Sequence, residues 1–119
     1  MNVLILEDTM VWQELLCEVC RRNRWQPVSA QSIEEAIELL RTERIDTAIV
    51  DLMLPDSMDT DTALDVLFLF KQRLPRGRVC IVSGVDNLPP KIAGCPTVSK
   101  MFEDVETLSD SIRAALGLM

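Results

Sequence analysis

The 119-residue chain contains no histidine and no tyrosine. Without histidine it can run neither Ser-His-Asp nor Cys-His catalysis, offers no imidazole to a metal, and carries no phosphohistidine. Positive charge is also scarce. Twelve Lys and Arg stand against 19 Asp and Glu, giving a formal net charge of −7 and a pI near 4.5. Nucleic-acid binding is driven largely by phosphate neutralisation, so direct binding of nucleic acid is disfavoured. An acidic body suits a basic protein partner or a bound cation. No apolar run approaches the ~20 residues of a membrane span. Met1-Asn2 leads straight into Val3-Leu4-Ile5-Leu6 with no basic stretch before it. No signal peptide is therefore expected, and the expected compartment is the cytoplasm. Repeats, linkers and low-complexity segments are absent too.

The four cysteines, Cys17, Cys20, Cys80 and Cys95, exclude less. Cys17-x-x-Cys20 falls inside a helical pattern, and the other two make no second close pair, so small buried hydrophobes are the simpler reading than a redox or zinc site. With 48% apolar and 26% charged residues, the composition is that of a folded domain and not a disordered segment. The length suits one domain over residues 1–119, with one good core.

Apolar spacing supplies the elements. Val3–Leu6 is a short, wholly apolar strand followed by Glu7-Asp8. From Met10 to Asn23, Trp12, Leu15, Leu16, Val19 and Cys20 share a helical face. Trp25–Ala30 is a weaker strand. Ser32 and Glu35 form a capping box that opens a helix to about Arg41, burying Ile33, Ala36, Ile37 and Leu40. Thr47–Val50 is a strand with Asp51 at its tip. A helix beginning near Asp59-Thr60 is expected to bury Leu64, Leu67 and Phe68. Arg78–Val82 is a strand ending at Ser83-Gly84, and Thr97–Ser99 a last strand ending at Lys100. The final helix, from about Glu103 to Leu116, buries Val105, Leu108, Ile112 and Ala115. Strands alternating with helices, and apolar on both faces, predict a parallel sheet covered on both sides by right-handed crossovers.

What stands at the strand tips carries the chemistry. Glu7 and Asp8 follow the first strand, Asp51 the third, Ser83 the fourth and Lys100 the fifth. In open α/β sheets ligands bind outside those ends, so three carboxylates, a hydroxyl and an ammonium should converge on one pocket. Clustered carboxylates repel unless a cation shares the site, and Mg²⁺ suits oxygen ligands of this kind. A carboxylate beside Mg²⁺ can attack a phosphoryl group to give an aspartyl phosphate, with the ammonium and hydroxyl stabilising charge on the transferring oxygens.

Across essentially the whole chain these residues resemble the response-regulator receiver domain of two-component signalling. "VLILED" is similar to the family's acidic pair, "IVDLMLPD" to its phosphoacceptor strand, "CIVSG" to its Ser/Thr step and "VSK" to its lysine. The resemblance implies a flavodoxin-like, doubly wound, parallel five-stranded sheet of order 2-1-3-4-5 with helices on both faces. It implies Asp51 as phosphoacceptor, and Mg²⁺ held by Glu7, Asp8, Asp51 and the backbone carbonyl of Met53, with Asp8 as the direct ligand of the acidic pair. Ser83 and Lys100 would contact the phosphoryl group. A sensor histidine kinase or phosphotransfer protein would supply it, and a downstream protein would read it. Such a module is no enzyme beyond self-catalysed transfer and slow autodephosphorylation.

Two departures from the family bear on mechanism, and a smaller one is that the slightly long loop after Asp51, "PDSMDTDTAL", lacks a glycine common there in the family. The aromatic that many receivers carry three residues before the lysine is Thr97 here, so no aromatic rotamer switch operates at that position. The segment between Ser83 and Lys100, "GVDNLPPKIAGCPTVS", is short. Pro89-Pro90 can only start a helix and Gly94 with Pro96 stops it, leaving Lys91-Ile92-Ala93 about one turn. The fourth helix should be stunted or missing. The loop after Asp51 is acidic at Asp56, Asp59 and Asp61, which capping and solvation explain better than extra metal ligands. The leading expectation is a stand-alone receiver whose 119 residues are used up by the fold. The alternative is a degenerate receiver that binds a partner constitutively. An aspartyl phosphatase ranks last, because Met53 stands where its second Asp would be.

Overall fold

The computed structural model describes residues 1–51, 60–74, 78–84, 91–92, 94–100 and 104–118. In chain order the elements are β1 Asn2–Leu6, α1 Met10–Arg22, β2 Gln26–Ala30, α2 Ile33–Thr42, β3 Thr47–Asp51, α3 Thr60–Arg73, β4 Arg78–Ser83, β5 Lys91–Ile92, β6 Cys95–Ser99 and α4 Val105–Ala115. The sheet order is β2-β1-β3-β4-β6-β5. Its first five strands are parallel, so the expected 2-1-3-4-5 order holds with β6 as the fifth parallel strand. Among the described residues no helix is long and apolar enough to cross a membrane.

Each central strand is buried on both faces, as its unbroken apolar run requires. Leu4, Leu6, Ala48, Val50, Val79 and Ile81 pack with Ala36 of α2 and with Leu67 and Phe70 of α3. The alternate residues Val3, Ile5, Ile49, Cys80, Val82 and Val98 pack with Leu16, Val19 and Cys20 of α1 and Leu108 and Ile112 of α4. The sheet thus separates two cores, with α2 and α3 on one side and α1 and α4 on the other. All four cysteines are buried and none forms a disulfide. Burial pushes the Cys20 and Cys80 thiols up to about 12, which suits hydrophobes and not redox groups.

Two expectations need correction. Phe68 is not part of the buried face of α3; it is 60% exposed, and Phe70, fully buried, takes that place. Leu67, Phe70 and Leu74 follow an i, i+3, i+7 stripe, which turns Phe68 outward. The side chain of Leu64 lies outside the described residues. The expected loss of the fourth helix holds, since no helix lies between β4 and β6 among the described residues, but Lys91 and Ile92 are not a helical turn. They form β5, antiparallel to β6, with Lys91 opposite Pro96 and Ile92 opposite Cys95. Gly94, at φ +79°, supplies the left-handed residue that the two-residue connection demands. Residues 85–90, which include Pro89-Pro90, lie outside the described residues.

Helix ends follow local chemistry. Ser32 Oγ accepts from Glu35 N at 3.1 Å, while Glu35 Oε2 accepts from Gln31 N at 3.3 Å, one residue before the position of a standard capping box. Helix α4 closes with Gly117 N donating to the Ala114 carbonyl and Leu118 N to that of Arg113, with Gly117 at φ +71°. Helix α1 closes the same way, through Arg24 N to Arg21 O and Trp25 N to Cys20 O, yet its left-handed residue is Arg24, at φ +60°. A Cβ in that region costs about 1 kcal/mol. Arg24→Gly should therefore raise stability by about that amount, read as a higher urea midpoint at unchanged slope.

Candidate functional site

The parallel arrangement carries every strand tip to one edge of the sheet. Glu7 and Asp8 follow β1, Asp51 ends β3, Ser83 ends β4, and Lys100 follows β6. Asp51 lies opposite Val82, and Ser83 opposite Ser99. The Lys100 amide donates to the Ser83 carbonyl at 2.8 Å, which fixes where the lysine leaves the sheet.

The side chains of Glu7, Asp8, Asp51 and Lys100 converge. Lys100 Nζ lies 3.0 Å from Glu7 Oε2 and 3.0 Å from Asp51 Oδ2. Glu7 and Asp51 are 0% and 2% exposed. Asp8 is exposed, and one carboxylate oxygen from each of Glu7, Asp8 and Asp51 can be chosen so that all lie within 4.8 Å of one another. Three carboxylates against one ammonium leave a formal −2 in a space that a single divalent ion would balance. Burial pushes the Glu7 carboxyl above its ordinary range. The Thr9 amide and the Lys100 ammonium pull it back, and the Asp51 charge adds to the rise.

The acidic pair divides its work. Glu7 Oε1 accepts from the Thr9 amide at 3.0 Å and Oε2 from Lys100, so both oxygens already have protein partners. Asp8 Oδ1 accepts only a long 3.4 Å contact from the Thr9 hydroxyl among the described bonds. The exposed Asp8 is the carboxylate best able to meet an incoming cation. Ser83 is 1% exposed at the tip of β4. Met53, whose carbonyl the sequence reading adds to the metal set, lies outside the described residues, as do Asp56 and Asp59 and the side chain of Asp61.

Two contributors were not legible. The Trp12 ring, placed by its spacing among core residues, also lies under Lys100 Nζ, 4.6 Å from ring centroid to nitrogen. Gln13 Nε2 donates to the carbonyls of Glu7 (3.2 Å) and Ala30 (3.4 Å), tying the first turn of α1 to the ends of β1 and β2. Only the proximity of α1 to the strand tips could have signalled either role.

No protein-family model matches the chain. The probable transcriptional regulatory protein TcrX of Mycobacterium tuberculosis is 30% identical over 93 residues, covering 78% of this chain and 38% of that protein. The response regulator protein PilR of Pseudomonas aeruginosa is 32% identical over 91 residues, 76% of this chain and 20% of that protein. The chain therefore spans well under half the length of the curated relatives it matches. Among solved structures, a CheY-like response regulator receiver domain protein from Methanospirillum hungatei superposes with a TM-score of 0.77 at 19% identity, covering 98% of this chain and 93% of that one. The fold is that of a response-regulator receiver domain. Two further neighbours share this receiver fold. The response regulator TrrA of Thermotoga maritima, solved in complex with Mg²⁺-BeF, gives a TM-score of 0.76 at 19% identity over 97% of this chain and 98% of that one. A response regulator from Burkholderia pseudomallei, solved with a phosphorylated aspartic acid, a calcium ion and citrate, gives 0.77 at 21% identity over 97% of this chain and 65% of that one.

Proposed function

We propose that this receiver domain is the phosphoacceptor of a two-component phosphorelay. It takes a phosphoryl group on Asp51 from a sensor histidine kinase or phosphotransfer protein in the cytoplasm, and signals through a phosphorylation-dependent contact with a downstream protein. The observation that carries this reading is the Lys100 ammonium 3.0 Å from Asp51 Oδ2 inside a nearly closed carboxylate cluster. Neighbours of the same fold bearing Mg²⁺-BeF and a phosphorylated aspartic acid support it.

In the transfer, an Asp51 oxygen attacks phosphorus while the bond from phosphorus to the donor atom breaks, and the electron pair leaves with the donor. Lys100 moves its proton contacts from Asp51 to an oxygen of the arriving phosphoryl group, and the Ser83 hydroxyl donates to another. Glu7 keeps Lys100 tethered meanwhile. The donor set fits a hard divalent cation, being all oxygen and carrying surplus negative charge. Mg²⁺ held by Asp8, Glu7, Asp51 and the Met53 carbonyl would neutralise charge on the transferring oxygens. No turnover is expected beyond this self-catalysed transfer and slow loss of the phosphoryl group. A second reading, a constitutive binding module, draws on the same lysine bridge, which closes two of the carboxylates without any cation.

Intact mass separates the two readings. Incubation with a small-molecule phosphodonor should add a single phosphoryl group in Mg²⁺ and none in a chelator. No adduct with any donor would leave the constitutive module.

A further inference from the structure

We infer that Trp12 is a positioning residue for phosphotransfer, holding the Lys100 ammonium over the Asp51 carboxylate; the inference rests on the phosphoacceptor reading of Asp51. An ammonium carries three protons. Glu7 and Asp51 each accept at 3.0 Å, and the indole face, 4.6 Å from the nitrogen, closes a further side. That distance lies inside the ~6 Å range over which a ring quadrupole attracts a cation. The Lys100 side chain is only 12% exposed.

The ring is itself held. Trp12 sits in the first turn of α1, and that turn is bolted to the site. Gln13 N donates to the Thr9 carbonyl at 2.9 Å, the Gln13 side chain reaches the Glu7 and Ala30 carbonyls, and the Thr9 amide reaches Glu7 Oε1. Below the site, Trp12 packs against the core formed by α1, α4 and the sheet. A lysine has a long flexible stem and much rotamer freedom to lose on being fixed. Two carboxylates alone would let the ammonium follow whichever of them moves when a phosphoryl group arrives. A rigid aromatic wall keeps it beside Asp51. The chain has no tyrosine, and Thr97 stands three residues before the lysine, so Trp12 is the aromatic that serves this ammonium among the described residues.

Trp12→Leu keeps an apolar side chain and removes the π face; Trp12→Phe keeps a weaker face. With both variants shown to be folded by their unfolding midpoints, the phosphorylation rate of Trp12→Leu in saturating Mg²⁺ and a small-molecule phosphodonor should fall roughly tenfold, the size of a partly desolvated cation–π contact. Trp12→Phe should recover most of that loss. A purely structural role would not sort the two by ring character. The contact is also read without phosphorylation. In a Trp25→Phe background, where Trp12 is the only tryptophan, Lys100→Met should shift the emission of the metal-free protein. Labelling of Trp12→Leu at the wild-type rate would overturn the positioning role, and unchanged emission in Lys100→Met would overturn the contact. If the wild-type chain takes up no phosphoryl group, the phosphoacceptor reading fails and with it the positioning role, while the emission still decides the contact.

Discussion

Asp51→Asn is expected to take up no phosphoryl group under conditions that label the wild-type chain, and to unfold at an equal or higher urea concentration. Asparagine matches aspartate in shape, so a position only 2% exposed is filled without a cavity. Its amide oxygen still accepts from Lys100, but it carries no full charge and forms no acyl phosphate. The stability half follows from the cluster. Asp51 attracts Lys100 at 3.0 Å and repels Glu7, whose carboxyl it helps to hold above the ordinary range. Removing one charge of three leaves Glu7 to pair with the ammonium alone. The net change should be a gain of about 1 kcal/mol, equivalent to roughly one pKa unit. Labelling of the variant at the wild-type site and rate would remove Asp51 as nucleophile. A loss of several kcal/mol would instead make the Asp51–Lys100 pair a structural tie, on the scale at which broken buried pairs destabilise.

The frame and the placing of the candidate site residues were legible in the sequence for the same reason. A strand such as Val3–Leu6 or Thr47–Val50, apolar at every position, can exist only in the middle of a covered parallel sheet, and that sheet dictates where its tips point. Glu7, Asp51 and Lys100 therefore came together by topology, with Ser83 at the neighbouring strand tip, without any contact being known. The reading failed where the pattern is degenerate. Val66 to Phe70 are five consecutive apolar residues, so periodicity alone did not choose between Phe68 and Phe70. Leu74, just past the helix, decides it by lying under the same stripe. At Lys91-Ile92 the prolines before and the glycine after suggested a helical turn. The deciding partner, Cys95-Pro96, lies across a tight connection, and Gly94 as its left-handed residue was the available hairpin signal. Trp12 was read by its spacing as core, which half describes it. One ring can pack below and face an ammonium above, and only the three-dimensional arrangement carries the second half.

Lys100→Met should destabilise the metal-free domain by about 3 kcal/mol, the lower part of the range for breaking a buried ion pair, and should tighten Mg²⁺ binding. Methionine preserves most of the length of the lysine stem, so the change isolates the ammonium. Its loss leaves Glu7 and Asp51, both almost fully buried, facing each other with Asp8 close by. A cation entering the cluster would draw on the same two carboxylates as the ammonium, so binding of one would oppose binding of the other. With the ammonium gone, Mg²⁺ affinity should rise roughly tenfold, a difference of about 1.4 kcal/mol, and the cation should restore much of the lost stability by mass action. Urea unfolding in chelator and in Mg²⁺, beside a direct titration of the metal, reads both effects. The same variant should still accept some phosphoryl group on Asp51, yet respond to it weakly, because the ion pair to the phosphoryl oxygens is missing. An unchanged midpoint in chelator would mean that the two buried carboxylates never needed the lysine. Unchanged Mg²⁺ affinity would mean that the cation does not compete with it for the carboxylates at the tips of β1 and β3.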